Sequence, residues 1–166
     1  MSFKVLFIAP DFRPDLHIHN GSVFEGIGYL SAFLKLAGFE VEFFGPKNSA
    51  EAGRLISIVS TAKPQLIGFS SVSSSYKYVK EYAKQIKEQF PNIPTICGGV
   101  HPTIAPDEVI GNPHIDMIAL GEAEHSLLHQ VREGIPSLKS AIICFGMNIG
   151  FYIGILRTRF IFRCNQ

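Results

Sequence analysis

Short apolar runs alternate with longer amphipathic ones along most of this chain, and that alternation leaves few folds open to it. Lys4–Ala9 is a β-rich apolar run closed by Pro10. Ser22–Ala37 sets Phe24, Ile27, Leu30, Phe33, Leu34 and Ala37 at helical spacing, and Gly38 stops it as a C-cap glycine does. The same reading predicts strands over Glu40–Phe44, Leu66–Phe69, Ile93–Cys97 and Ile115–Leu120. It predicts helices over Ala50–Ala62, Tyr76–Phe90, Pro106–Ile110 and Glu122–Glu133. Strands separated by helices imply a parallel sheet with right-handed crossovers and helices on both faces. The expected fold is α/β: a flavodoxin-like, Rossmann-like three-layer sandwich around a five-stranded parallel sheet, in the order 2-1-3-4-5.

The pattern covers residues 1–136, which are expected to form one α/β domain. Past Pro136 it breaks, and residues 137–166 read as an atypical apolar and basic extension, a final strand followed by a hydrophobic stretch. Ala141 to Leu156 is nearly all apolar but interrupted by glycines, and it falls short of the roughly 20 apolar residues of a membrane span. The extension carries Lys139, Arg157, Arg159 and Arg163 and no acid, so the body before it is mildly acidic. Contact of this tail with a membrane surface is not expected. A net charge of +1 over 166 residues supplies no field for nucleic acid. Cys97, Cys144 and Cys164 are too widely spaced for a metal or redox motif, and an odd, low count fits a reducing compartment. The start of the chain enters a strand pattern without a signal-peptide pattern, so the expected location is cytoplasmic.

In an open parallel sheet, ligands bind beyond the carboxyl ends of the strands. Four loops gather there: Pro10–Gly21, Ser70–Ser75, Gly98–Pro106 and Gly121–Glu124. Gly98-Gly99 ends the fourth strand with no side chain in the way, so a large, flat ligand can approach the backbone. Val100 and His101 follow, in a loop stiffened by Pro102 and Pro106; a lone loop histidine is more often solvated than engaged. Past the third strand, Ser74 or Ser75 is expected to cap the next helix, which leaves Ser70 and Ser71, with Val72 and Ser73 beside them, for a ligand. Gly121 gives room, and Glu122 offers an acceptor in the last loop, although acids at a helix start also suit the helix dipole. Asp15, His17 and His19 form a weak metal-ligand pattern in the first loop. Neither a phosphate-binding Gly-x-x-x-x-Gly-Lys nor a Gly-x-Gly-x-x-Gly after the first strand is present, which argues against nucleotide hydrolysis and dinucleotide binding.

Taken in order, Lys4-Val-Leu-Phe-Ile-Ala-Pro10, Gly26 to Val41, Pro64-Gln-Leu-Ile-Gly-Phe-Ser70, Cys97-Gly-Gly-Val-His-Pro-Thr103 and Gly121-Glu-Ala-Glu124 resemble the N-terminal cobalamin-binding domain of cobalamin-dependent radical-SAM enzymes. The resemblance runs from about Phe3 to Gly134. It implies cobalamin as cofactor, with the corrin ring over the strand ends and the nucleotide tail threaded past Ser70, Ser71, Val72, Ser73, Gly98, Gly99, Val100 and His101. Gly121 and Glu122 would complete the wall. Two features depart from the wider pattern. Other cobalamin domains carry Asp-x-His-x-x-Gly, whose histidine coordinates cobalt; counting back from Ala37-Gly38, that position falls near Val23. His17 or His19 is the remaining candidate cobalt ligand. The radical-SAM Cys-x-x-x-Cys-x-x-Cys is absent, so no iron–sulfur cluster is expected here and the chain is not expected to be catalytic alone. The resemblance therefore implies a cobalamin-binding domain, isolated or truncated, that works with a separate radical-SAM catalytic domain or subunit of the methyltransferase or cyclase type. Two other readings stay open: the N-terminal half of a nucleotide-sugar glycosyltransferase, which Gly26–Val41 also resembles, and a non-catalytic protein-interaction module.

Overall fold

The computed structural model describes residues 3–11 and 25–133, and beyond them the backbone of three strands. β1 (Lys4–Ile8), β2 (Glu40–Phe44), β3 (Leu66–Ser70), β4 (Thr95–Gly98) and β5 (Met117–Gly121) are all parallel, in the order β2-β1-β3-β4-β5. The expected order is the observed one. The sheet then continues past β5: β6 (Ala141–Gly146) pairs parallel to it, and β7 (Ile149–Ile155) and β8 (Phe160–Arg163) follow antiparallel.

Side chains alternate across a strand, so each strand feeds two cores. On one face Leu6, Ile8, Ile67, Phe69, Cys97 and Ile118 meet α3 (Leu55–Ala62), α4 (Tyr76–Gln89) and α6 (Pro106–Ile110) through Val59, Val79, Ile86 and Val109. On the other, Val5, Phe7, Leu66, Ile96, Met117 and Ala119 meet α1 (Glu25–Leu36) and α7 (Glu124–Glu133) through Ile27, Leu34, Leu127 and Val131. Burial on both faces is why these strands read as unbroken apolar runs. Each fully buried leucine or isoleucine adds about 1.5–3 kcal/mol of transfer free energy.

Two predicted elements come out differently. The helix expected over Ala50–Ala62 is two helices, α2 (Ser49–Ala52) and α3. Asn48 caps α2 by accepting from the Glu51 N–H at 2.9 Å, while Glu51 accepts from the Lys47 N–H, and the helix ends at Gly53. The loop expected over Gly98–Pro106 contains a short helix, α5 (Val100–Ile104). Pro102 is tolerated there because it lies in the first turn, where its missing N–H has no helical partner to lose.

The amino-terminal edge of the sheet is closed by a polar knot. The Thr95 N–H donates to Asp116 Oδ2 at 2.8 Å, and the Thr95 hydroxyl donates to the His114 carbonyl at 2.9 Å. Lys87, at the end of α4, pairs with the same Asp116 oxygen and also donates to the Ile93 carbonyl at 2.8 Å. These bonds tie β4, the approach to β5 and α4 together at the end of the sheet opposite the glycines.

Candidate cofactor-binding site

At the carboxyl edge the backbone itself makes the framework. Just after β3, the Ser71 N–H donates to the Gly98 carbonyl at 2.9 Å, and the His101 N–H donates to the Ser71 carbonyl at 3.0 Å. These bonds press the loop after β3 against the loop after β4. Gly99 sits in the contact with φ of +98°, and a Cβ on it would lie 2.8 Å from the Ser71 carbonyl oxygen. Its bareness is therefore demanded by the protein's own backbone, not by a ligand alone. Gly98 differs. A Cβ there would stand 3.4 Å from the Ala119 methyl, an ordinary contact, on the face of β4 that looks toward α1 and α7.

Next to Gly98 a cavity of about 210 Å³ opens between the sheet, α1 and α7. Ile27, Leu30, Ile96, Ala119 and Leu127 make its walls apolar, with Gly121 beside Gly98 at the strand ends. The Phe7 ring lies across Gly68 and forms the floor, since a Cβ on Gly68 would fall 2.6 Å from that ring. Ser70, Glu122 and Glu124 are the polar residues of the lining. Sequence reasoning found Ser70, Gly98, Gly99, Gly121 and Glu122 but treated Ile27 and Leu30 only as core. Gly26 and Gly28 were the available signal, because a Cβ on either would meet nothing within 4 Å. Packing among the described residues does not require these two glycines of α1.

Several expectations need correcting. Ser71 is not free for a ligand: it is 1% exposed, and its hydroxyl donates to the Val72 carbonyl at 3.1 Å. Ser75 does occupy the N-cap of α4, but its hydroxyl turns back to the Val72 N–H and carbonyl and caps nothing in the helix. Glu122 lies in the turn before α7, which begins at Glu124. His101, expected in a loop as part of the cofactor wall, is helical. It sits on α5 at 6% exposed, with its ring 4.1 Å from that of Tyr76 and Nδ1 3.2 Å from the Ser73 hydroxyl. Its Nε2 is buried without a hydrogen bond among the described residues, and Glu108 Oε2 lies 3.5 Å away. Beside it Val72, Val100 and Ile104 are exposed, at 48%, 59% and 66%.

Cys97 points into the opposite core, where burial pushes its thiol up to about 12, so it brings no reactive sulfur to the site. Asp15, His17 and His19 fall outside the described residues. Among the described residues no three histidine, cysteine or acidic side chains cluster as a metal site would require.

The family model described as the B12 binding domain matches residues 25–130, most of the region that builds this cavity. The chain belongs to the B12-binding domain family. This B12-binding domain is 27% identical over 137 residues to the anaerobic magnesium-protoporphyrin IX monomethyl ester cyclase of Rubrivivax gelatinosus, covering 77% of this chain and 24% of the cyclase. It thus spans about a quarter of that relative's length. Among solved structures it superposes on the radical S-adenosylmethionine methyltransferase TsrM of Kitasatospora setae with cobalamin and a [4Fe-4S] cluster bound, at a TM-score of 0.68 and 19% identity. That match covers 82% of this chain and 26% of TsrM. It also superposes on a cobalamin-binding protein of Desulfitobacterium hafniense DCB-2, at a TM-score of 0.57 and 17% identity, over 77% of this chain and 57% of that one. The two structural likenesses bear on the fold, while the family match favours cobalamin over a nucleotide sugar. No helix among the described residues is long and apolar enough to cross a membrane.

Proposed function

We propose that this B12-binding domain holds cobalamin by its nucleotide tail, inserted in the cavity beside Gly98, with the corrin ring lying outside across the strand ends. The size of the cavity carries this reading. At about 210 Å³ it is smaller than the roughly 300–1,000 Å³ of sites that enclose a whole ligand. It suits a slender heteroaromatic arm, and its apolar walls suit an uncharged ring. Ser70 offers that arm a hydroxyl, Gly98 and Gly121 leave it room, and Glu122 accepts from it at the mouth. Ser71 and Gly99 hold the two loops together, and Val72 and Val100 put exposed apolar surface under the ring.

Bound cobalamin would supply a cobalt centre for carrying a methyl group or an electron; the chain's own residues bind and orient it. A radical-SAM catalytic domain or subunit is the proposed partner, because the three thiolates such a cluster needs do not occur together here. Residues 1–136 form the cofactor unit in this reading, and residues 137–166 are an appendage to it. The reducing cytoplasm is the proposed location, consistent with a few scattered cysteines.

Mixing the purified chain with hydroxocobalamin and desalting tests this. Corrin absorbance is expected to elute with the protein in near-equal molar amount. Protein that emerges free of corrin contradicts the proposal.

A further inference from the structure

The Ser73–His101–Glu108 cluster has a polarity that the cavity does not explain. His101 is buried, with Nε2 lacking a hydrogen bond among the described residues and Glu108 Oε2 3.5 Å away. A lone pair on Nε2 would face the lone pairs of the half-exposed Glu108 carboxylate, so Nε2 carries a proton. Lys80 Nζ lies 3.4 Å from Glu108 Oε1, and the Tyr76 ring against the imidazole brings no charge of its own. In the neutral ring with Nε2 protonated, Nδ1 is an acceptor, and the Ser73 hydroxyl 3.2 Å away donates to it.

That fixes what Ser73 shows to the outside. Its single proton points inward, so the exposed oxygen presents lone pairs only. Val72 next to it, and Val100 and Ile104 on the helix that carries His101, add exposed apolar surface at the strand ends. A lone acceptor in an apolar rim matches a flat apolar ring fringed with N–H donors, and it repels a ring fringed with carboxylates. We propose that Ser73, aimed by His101, selects a primary carboxamide of the corrin rim and discriminates against a carboxylate at the same position. This rests on cobalamin being the ligand, and it adds which chemical group at the ring edge is read and by which side chain. Ser73 is the contact; His101 is a positioning residue that acts through it.

The experiment compares the full chain's affinity for hydroxocobalamin with that for derivatives in which one rim propionamide has been hydrolysed to a carboxylate. Wild type is expected to bind at least one derivative about ten-fold more weakly, the worth of one good hydrogen bond. Ser73→Ala should bind hydroxocobalamin about ten-fold more weakly and lose the discrimination. His101→Phe, which keeps the ring stacking, should do the same, while His101→Asn, with an acceptor where Nδ1 stood, should restore it. The Ser73→Ala, His101→Phe double variant should be no worse than either single one, since both remove one contact. Ser73→Ala is an exposed change that leaves the fold intact, so unaltered selectivity in that variant overturns the proposal. His101→Asn as indiscriminate as His101→Phe overturns the positioning role. A wild type that retains no hydroxocobalamin overturns the cobalamin reading itself and is thereby distinguished from both.

Discussion

The two ends of β4 are built on opposite plans. At its start, Thr95 is fully buried, and its N–H and hydroxyl are met by Asp116 and the His114 carbonyl, with Lys87 closing over the carboxylate. At its finish, Gly98 has no side chain and stands beside a cavity, and the residues past it leave apolar surface in water. Among the described residues, one end meets the polar groups of Thr95 and Asp116 that it buries, while the other leaves a ring nitrogen without a hydrogen bond and a cavity open. Local rules are kept at the closed edge, and the open edge, where ligands bind in such sheets, departs from them.

Breaking the closed end should give the largest effect on folding. Asp116→Ala removes the partner of a backbone N–H and of a mostly buried ammonium, and should cost about 3 kcal/mol in urea denaturation. Corrin retention by the folded fraction should be unchanged, because the knot lies at the far edge. If Asp116→Ala abolishes retention in a folded sample, the two ends are not independent.

The open end gives the converse. Gly98→Leu should lower hydroxocobalamin affinity by at least about 100-fold while changing stability by no more than about 1 kcal/mol. Gly99→Ala sharpens the contrast between these neighbours. It forces a Cβ to within 2.8 Å of the Ser71 carbonyl at a φ of +98°, so it should cost about 1–3 kcal/mol of stability. Equal stability losses in the two variants would erase the distinction between a glycine kept for a ligand and one kept for the fold.

The smallest expected effect separates the two cores. Burial raises Cys97 from 9.0 to about 12, and raises Tyr76 and Tyr82 from 10.0 to about 12. Above their ordinary values the unfolded chain loses these protons while the native chain keeps them. Stability is therefore intact below about pH 9 and falls as pH rises toward 12. Tyr82 also buries a hydroxyl with no partner among the described residues, so Tyr82→Phe should leave stability at pH 7 near wild type and make the alkaline decline shallower. An unchanged alkaline slope in denaturation at pH 8 to 11 would contradict the assignment.

Much of this architecture was legible because both faces of the inner sheet are covered, which turns β1, β3, β4 and β5 into apolar runs between amphipathic helices. Gly98 was legible for a local reason: it ends such a run. The misreadings share a different cause. His101 was placed in a loop because Pro102 and Pro106 look like loop residues, whereas the first turn of α5 accepts Pro102 and buries the histidine against Tyr76. Gly99 was credited to the ligand because the Ser71 backbone, which needs its bareness, comes from another strand's end. The Lys87–Asp116 pair joins residues 29 apart in the chain, and no spacing rule reaches that far. Contacts made by the fold's own crossovers were the part that single-sequence patterns do not carry.

The central claim is that the cavity beside Gly98 takes the nucleotide tail, and cobinamide, which is the corrin without that tail, tests it most directly. Titrations of wild type and Gly98→Leu with hydroxocobalamin and with cobinamide should show wild type preferring cobalamin by at least about ten-fold, and Gly98→Leu showing no preference. Wild type binding both corrins with equal affinity would contradict the account.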